Sequence, residues 1–223
     1  MSAQKTYTHA VIATDVVIFT IENGVLKVLL IAMKKSPFEK HWAMPGGLVG
    51  GWETLEDSAT RHLVNKTGVR DVYLEQLATF GDPTRDPFGR VVSVAYMALL
   101  PPQSLKLTTT KDYAGVAWFP VSSVPPLAYD HKEILQFAHE RLKGKLTYTN
   151  IAYGLLPREF TLSELQSTYE VILGRKLDKR NFRKKLLALG LVTSTKKYRK
   201  KGAHRPAELY RFTRRTPTLV GVL

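Results

Sequence analysis

The sequence predicts an α+β chain in two parts, a mixed sheet-and-helix domain followed by a small winged helix-turn-helix. Three observations carry this. Two β-branched runs flank a tight turn near the N-terminus, a capping box opens a pair of amphipathic helices near residue 161, and the excess of positive charge lies entirely behind that box. At 223 residues the chain is long enough for a medium domain and a small one, each with a core.

Residues 9–21 (HAVIATDVVIFTI) and 25–33 (VLKVLLIAM) read as strands, and Glu22-Asn23-Gly24 between them reads as a hairpin turn. Leu55, Ala59 and Leu63 share one face of a helix over 55–67 that Gly68 stops. Strands are expected at 72–80, 90–99 and 115–119. Asp82-Pro83 and Asp86-Pro87 mark the loop between the first two, and Pro101-Pro102 ends the second. Ile134, Phe137, Ala138 and Leu142 give residues 130–143 a helical spacing; Asp130 is placed to cap this helix and Gly144 to close it. The domain junction is expected near 145–152, which divides the chain into 1–147 and 148–223.

Thr161 and Glu164 then form an S/T-x-x-E capping box, with Phe160 and Leu165 at the staple positions, so a helix starts at 162. Its apolar stripe is Leu162, Leu165, Tyr169 and Ile172, and Gly174 interrupts it. A second helix over Asp178–Leu189 turns Phe182, Leu186 and Leu189 inward, which directs Arg180 and Lys184 outward with Arg183 beside them. LVTSTKKYRKKGAHRPAELYRF reads as two strands around a basic tip. Helix, turn, helix and hairpin is the order of a winged helix-turn-helix, whose second helix enters a major groove.

The formal charge of +14 has a location. Residues 175–215 hold 16 Lys or Arg against two acids, Asp178 and Glu208, while the remaining 17 basic and 17 acidic residues cancel. So dense a cluster is the footprint of a polyanion. Arg175, Lys179, Arg180, Asn181, Arg183 and Lys184 are the candidate DNA contacts around the second helix. Lys200, His204 and Arg205 at the wing tip are candidates for phosphate or minor-groove contacts. The absence of cysteine excludes disulfides, thiolate metal sites and a Cys nucleophile, and fits a reducing compartment. No run of eighteen apolar residues exists, and MSAQKTYTHA lacks the apolar core of a signal peptide, so a cytoplasmic protein without a membrane partner is expected.

The stretch GGLVGGWETLEDSATRHLVNKTGV, residues 46–69, resembles the Nudix box, G-x5-E-x7-R-E-U-x-E-E-x-G-U with U apolar. Gly47, Glu53, Arg61, Leu63, Gly68 and Val69 fall on matching positions. The resemblance implies a Nudix α/β/α sandwich. It also implies a departure, because the three acids of the R-E-U-x-E-E core are replaced by His62, Asn65 and Lys66. In the family those acids lie on one helix face and hold the divalent metal that activates water. At about 5 Å and an effective dielectric near 20, a single ammonium repels a dication by roughly 6–7 kcal/mol before screening. No metal site and no efficient hydrolysis are therefore expected, with weak activity through Glu53 left open.

A damaged Nudix box ahead of a basic winged helix is similar to the Nudix-related transcriptional regulators of NAD metabolism, the NrtR family; FTLSELQSTYEVILGRKLDKRNFRKKLLALGLV and RPAELYRF carry that resemblance at the C-terminal end. It implies a bacterial homodimeric repressor, nucleoid-associated when DNA-bound, that binds operator DNA near NAD biosynthesis or salvage genes and is released by ADP-ribose. No cofactor is required on this reading; ADP-ribose is the effector. Its expected contacts are Lys34, Trp42, Glu53, Arg61, Arg85, Arg90, Asp130 and His131, with Phe38, Asp82 and Asp86 nearby. Arg supplies a phosphate fork and an aromatic ring stacks on adenine. Arg61, without the box glutamates, is expected to turn toward phosphate. Trp42 as core and Arg85 with Asp86 as a solvated loop pair are the alternatives. Two other functions stay open: an ADP-ribose hydrolase with an accessory DNA-binding domain, and a regulator that senses a sugar.

Overall fold

Strands β1 (Val11–Glu22) and β2 (Val25–Ala32) pair antiparallel around Asn23 and Gly24, which both sit at positive φ, 52° and 73°. That is the backbone a two-residue hairpin turn demands. The structure, a computed structural model, describes residues 9–68, 70, 73–102, 113–200 and 206–223. Among the described residues, seven strands form one mixed sheet. β3 (Trp42–Ala43) follows β2 at one edge, and β4 (Gly46–Leu48) pairs with β1. Helix α1 (Leu55–Thr67) comes next, then β5 (Tyr73–Phe80), β6 (Val91–Leu99) and β7 (Gly115–Pro120). β6 runs parallel to β1, which makes β1 the centre of the sheet.

Alternation along β1 sends Val16 and Ile18 to one face and Val17 and Phe19 to the other, all fully buried. The first face is covered by Ala59 and Leu63 of α1, and the second by Ile134, Leu135, Ala138 and Leu142 of helix α2 (His131–Tyr148). This is the expected α/β/α sandwich. α1 begins with a capping box between Thr54 and Asp57 and ends on Gly68 in the left-handed conformation.

α2 differs from the expectation at both ends. Gly144 does not close it; the helix continues to Tyr148, because Leu146 is fully buried and Lys145 bonds Glu75, contacts that outweigh a helical glycine. Asp130 occupies the N-cap position but makes no capping bond, since its carboxylate is taken by Arg85.

No exposed linker follows. The chain passes through a buried 3-10 turn, Ile151–Leu155, where a Cβ on Gly154 would lie 2.8 Å from the Cβ of Leu99. Helix α3 (Leu162–Leu173) has the Thr161–Glu164 capping box and buries Leu162, Leu165, Tyr169 and Ile172. Helix α4 (Lys179–Ala188) is capped by Asp178 and buries Phe182 and Leu186. Leu189 is a correction: it is the C-cap, 41% exposed, and Leu191 fills the core instead. β8 (Val192–Arg199) and β9 (Ala207–Phe212) form the antiparallel hairpin. The last residues return to α2, where the amides of Val220 and Val222 donate to the carbonyls of Tyr148 and Thr147. One hydrophobic cluster runs from β1 through α2 into α3, α4 and β9. Among the described residues, no helix is long and apolar enough to cross a membrane.

Candidate ligand cleft and nucleic-acid interface

Asp15 is a lone carboxylate inside the apolar run of β1, and it lines a cleft of about 210 Å³ walled by β1, β2, β4, the β5–β6 loop and the start of α2. Its Oδ2 accepts hydrogen bonds from Ser93 Oγ at 2.6 Å and Arg85 Nη2 at 3.4 Å, and its Oδ1 lies 3.4 Å from His131 Nε2. Burial pushes its pKa up, but His131, Ser93 and Arg85 outweigh that and hold it at about 2. Arg85 grips both oxygens of Asp130, Nε to Oδ2 at 2.8 Å and Nη2 to Oδ1 at 2.7 Å. The amide of Met44 donates to Nδ1 of His131 at 3.0 Å, so the ring's proton sits on Nε2, toward Asp15. β1, the β5–β6 loop and the start of α2 thus meet in one polar cluster.

Gly46 fits only because it lacks a side chain, since a Cβ there would lie 2.2 Å from Asp15 Oδ1. Tyr129 and Tyr113 supply aromatic walls; Tyr129 has φ 54° and packs on Phe38 with centroids 4.4 Å apart.

The expected ligand residues separate into groups. Arg85 and His131 line the cleft, and Asp130 holds Arg85 from behind. Arg85 is neither a solvated pair with Asp86 nor a free phosphate fork, because it is buried and bonded to two other carboxylates. Trp42 does not line the cleft: it packs against the main hydrophobic core, 4.6 Å from the ring of Phe119, which is the core alternative. Arg90 braces its own loop, donating to Gly81 O at 2.9 Å, and Lys34 is exposed beyond the end of β2.

Arg61 has not lost its partner. Its Nε donates to Glu53 Oε2 at 2.9 Å and its Nη2 to Oε1 at 2.6 Å, and Oε1 also accepts from the amide of Gly50. Arg61 and that amide hold the Glu53 carboxyl down at about 2. This pair keeps the box loop folded with its charge internally spent. His62 is buried against Gly47, where a Cβ would come within 2.9 Å of the ring; burial and the charge of Arg61 hold its pKa at about 4, so it is neutral at pH 7. Lys66 is buried with its ammonium 4.0 Å from the centroid of Tyr113, and Asn65 is exposed. Neutral imidazole, amide and ammonium do not fit a hard divalent cation, which takes carboxylate and water oxygens. Among the described residues, no cluster of three or more His, Asp or Glu is placed to hold a metal ion.

Sequence reasoning missed Asp15, Ser93, Tyr113 and Tyr129. For Asp15 a signal existed, a charge in the middle of a strand otherwise read as core.

In the C-terminal part, α4 exposes Lys179, Arg180, Asn181 and Lys184, with Arg175 exposed just ahead of it. Arg183 is drawn back, donating to Ser163 Oγ at 2.8 Å, which ties α4 to α3. Glu164 caps α3 and also accepts from Arg199 of β8 at 2.8 Å, which fixes the hairpin against the helix. Lys200 is exposed; His204, Arg205 and Val69 of the box lie outside the described residues.

Comparison with known proteins follows the same division. Residues 11–138 match the NUDIX domain and residues 152–212 the NrtR DNA-binding winged helix domain. The chain is 37% identical over 209 residues to the ADPR responsive transcriptional repressor NtrR of Acinetobacter baylyi, covering 92% of this chain and 83% of that one. It is similar to the crystal structure of Shewanella oneidensis NrtR complexed with a 27mer DNA, with TM-score 0.82, 36% identity and coverage of 91% of this chain and 93% of the other. It is also similar to the NUDIX domain of the S. oneidensis protein complexed with ADP ribose, with TM-score 0.55 and 36% identity over 61% of this chain and 90% of that one.

Proposed function

The chain belongs to the NrtR family, and from that premise we propose that it is an ADP-ribose-responsive transcriptional repressor, binding operator DNA through α4 and the hairpin and ADP-ribose in the Nudix cleft. The observation that carries this reading is one of pairing. A Nudix cleft whose helix face bears His62, Asn65 and Lys66 stands ahead of a winged helix whose α4 exposes Arg180, Asn181 and Lys184. The relatives with the same two parts include one complexed with DNA and one whose NUDIX domain is complexed with ADP ribose.

The box keeps its frame through Glu53 and Arg61 while its metal-holding face is gone, so the ligand is bound and not cut. A sensor that hydrolysed its ligand would erase its own signal. The cleft, at about 210 Å³, is below the roughly 300–1,000 Å³ of ordinary small-molecule sites. ADP-ribose therefore enters by widening it, and the groups that must give way include the Arg85–Asp130 pair and His131, at the first turn of α2. The far end of α2 carries the C-terminal segment and leads into the buried turn before α3. Ligand release of DNA follows if the widened cleft favours an arrangement of α2 in which the recognition helices are mis-spaced.

The rest of the proposal is a homodimer on a two-fold operator, a division into a sensing domain over 1–147 and a DNA-binding domain over 148–223, genes of NAD biosynthesis or salvage as targets, and residence in the bacterial cytoplasm.

The test is a mobility shift with candidate promoter DNA, with and without ADP-ribose, run beside an assay of AMP release with Mg²⁺ or Mn²⁺. A shift that ADP-ribose reverses, with no turnover, is expected. Rapid AMP release would make the chain a hydrolase, and reversal only by a free sugar would remove NAD metabolism.

A further inference from the structure

A second cavity lies apart from both the Nudix cleft and the exposed face of α4. It is a crevice of about 1020 Å³ where the edge of the sensor sheet, the buried 3-10 turn and the base of the hairpin meet. Four arginines line it: Arg70 after α1, Arg158 after the turn, Arg211 on β9 and Arg215 beyond it. No carboxylate stands among its described lining residues. Glu75, which accepts from the hydroxyl of Tyr73 in the crevice wall, is already committed to Lys145 and Arg141.

Arg215 shows how the charge is held. Its Nη2 donates to the carbonyls of Tyr153 and Leu156 at 2.7 and 3.1 Å, and its guanidinium lies 5.6 Å from the ring centroid of Tyr153. It is thus fixed by neutral groups, with no counter-charge. Burial and the nearby charge of Arg158 both draw its pKa below the ordinary arginine range, so the two guanidiniums crowd each other. An anion between them relieves that crowding. Guanidinium is also the side chain best matched to phosphate, through its planar fork of donors.

We propose that this interdomain crevice is a second ligand site, separate from the Nudix cleft, for a nucleoside di- or triphosphate. The guanidiniums of Arg70, Arg158 and Arg211 take the phosphates, Arg215, held by the carbonyls of Tyr153, Leu156 and Pro157, adds its charge, and the apolar wall of Tyr73 and Tyr153 faces the base or sugar. The size fits a nucleotide. The concave shape favours a small molecule over a duplex, which presents its phosphates on a convex rod. Arg180 and Lys184 of α4 do not line the crevice. Because its walls come from both parts of the chain, occupancy braces the winged helix against the sheet. The proposal stands apart from the ADP-ribose reading.

Calorimetric titration of the full chain with ATP in magnesium-free buffer is the experiment, repeated on Arg158→Ala/Arg211→Ala, two exposed side chains, with a thermal melt to show that the variant is folded. One saturable site per chain is expected, weakened at least tenfold in the double variant. ATP binding is expected to persist in Tyr129→Ala, which alters only the Nudix cleft. The proposal is overturned if wild-type protein shows no saturable ATP binding, if the double variant binds ATP equally well, or if Tyr129→Ala abolishes binding. A double variant that loses only duplex affinity, with no ATP site in the parent, would reassign the crevice to the DNA backbone and overturn it as well.

Discussion

Asp15 decides the shape of the cleft, and its surroundings make it a measurable group. Its folded pKa of about 2 lies below the roughly 3.9 of a free aspartate, so it contributes stability that is present above pH 4 and lost as pH falls through 2. Asp15→Asn leaves Arg85 buried with a single carboxylate partner, Asp130, and is expected to cost about 2–3 kcal/mol at pH 7. Urea unfolding of both proteins at pH 7, 4 and 2.5 checks this. The gap should narrow across the acid range, and a gap that stays constant contradicts the assignment. At this scale the sequence was least legible. Asp15, His131 and the Arg85–Ser93 stretch come from three distant segments, and only the parallel pairing of β1 with β6 and the docking of α2 bring them together. Arg61 was misjudged for the opposite reason: its partner Glu53 was visible eight residues away and was assigned to the ligand.

Elements whose signals are local were legible. The hairpin at Asn23-Gly24 and the capping box at Thr161 involve a few adjacent residues, so periodicity and capping chemistry identify them. The end of α2 was not, because burial of Leu146 and the Lys145–Glu75 pair are tertiary facts that overrule Gly144. That makes Gly144 a point of avoidable cost. It is exposed, and a Cβ there meets nothing within 4 Å, so Gly144→Ala is expected to stabilise the protein by about 0.5–1 kcal/mol, read as a higher melting temperature with operator binding unchanged. On α4, Arg180→Ala and Lys184→Ala remove exposed cations, and each is expected to weaken operator binding and lower its salt slope by about one if it meets a phosphate. ADP-ribose affinity should not move. Arg183→Ala differs, because it releases Ser163 and loosens the α3–α4 packing, so thermal stability should fall together with DNA binding.

Across the whole molecule, the charge and the cleft occupy opposite ends of one connector. α2, roughly 27 Å long at 18 residues, begins beside Asp15 and ends under the returning C-terminal segment. Its last turn is tied to the sheet by Lys145, which bonds Glu75 and lies 3.3 Å from the hydroxyl of Tyr73. If ADP-ribose and DNA select opposite arrangements of this helix, linkage fixes the outcome: the factor by which ADP-ribose weakens operator binding equals the factor by which operator DNA weakens ADP-ribose binding. Both are measurable, the first by fluorescence anisotropy of labelled operator at saturating ADP-ribose, the second by calorimetry of the DNA complex. Lys145→Ala touches neither the cleft lining nor the exposed face of α4, so both separate affinities should survive. The shared factor should fall toward one, because the last turn of α2, no longer held to the sheet through Glu75, then answers less to what happens in the cleft. Equal factors that do not change in the variant would leave linkage intact and remove the Lys145 tie from the path. A factor of one in the parent protein would mean that the two ligands are not coupled at all, and α2 could not then be the lever.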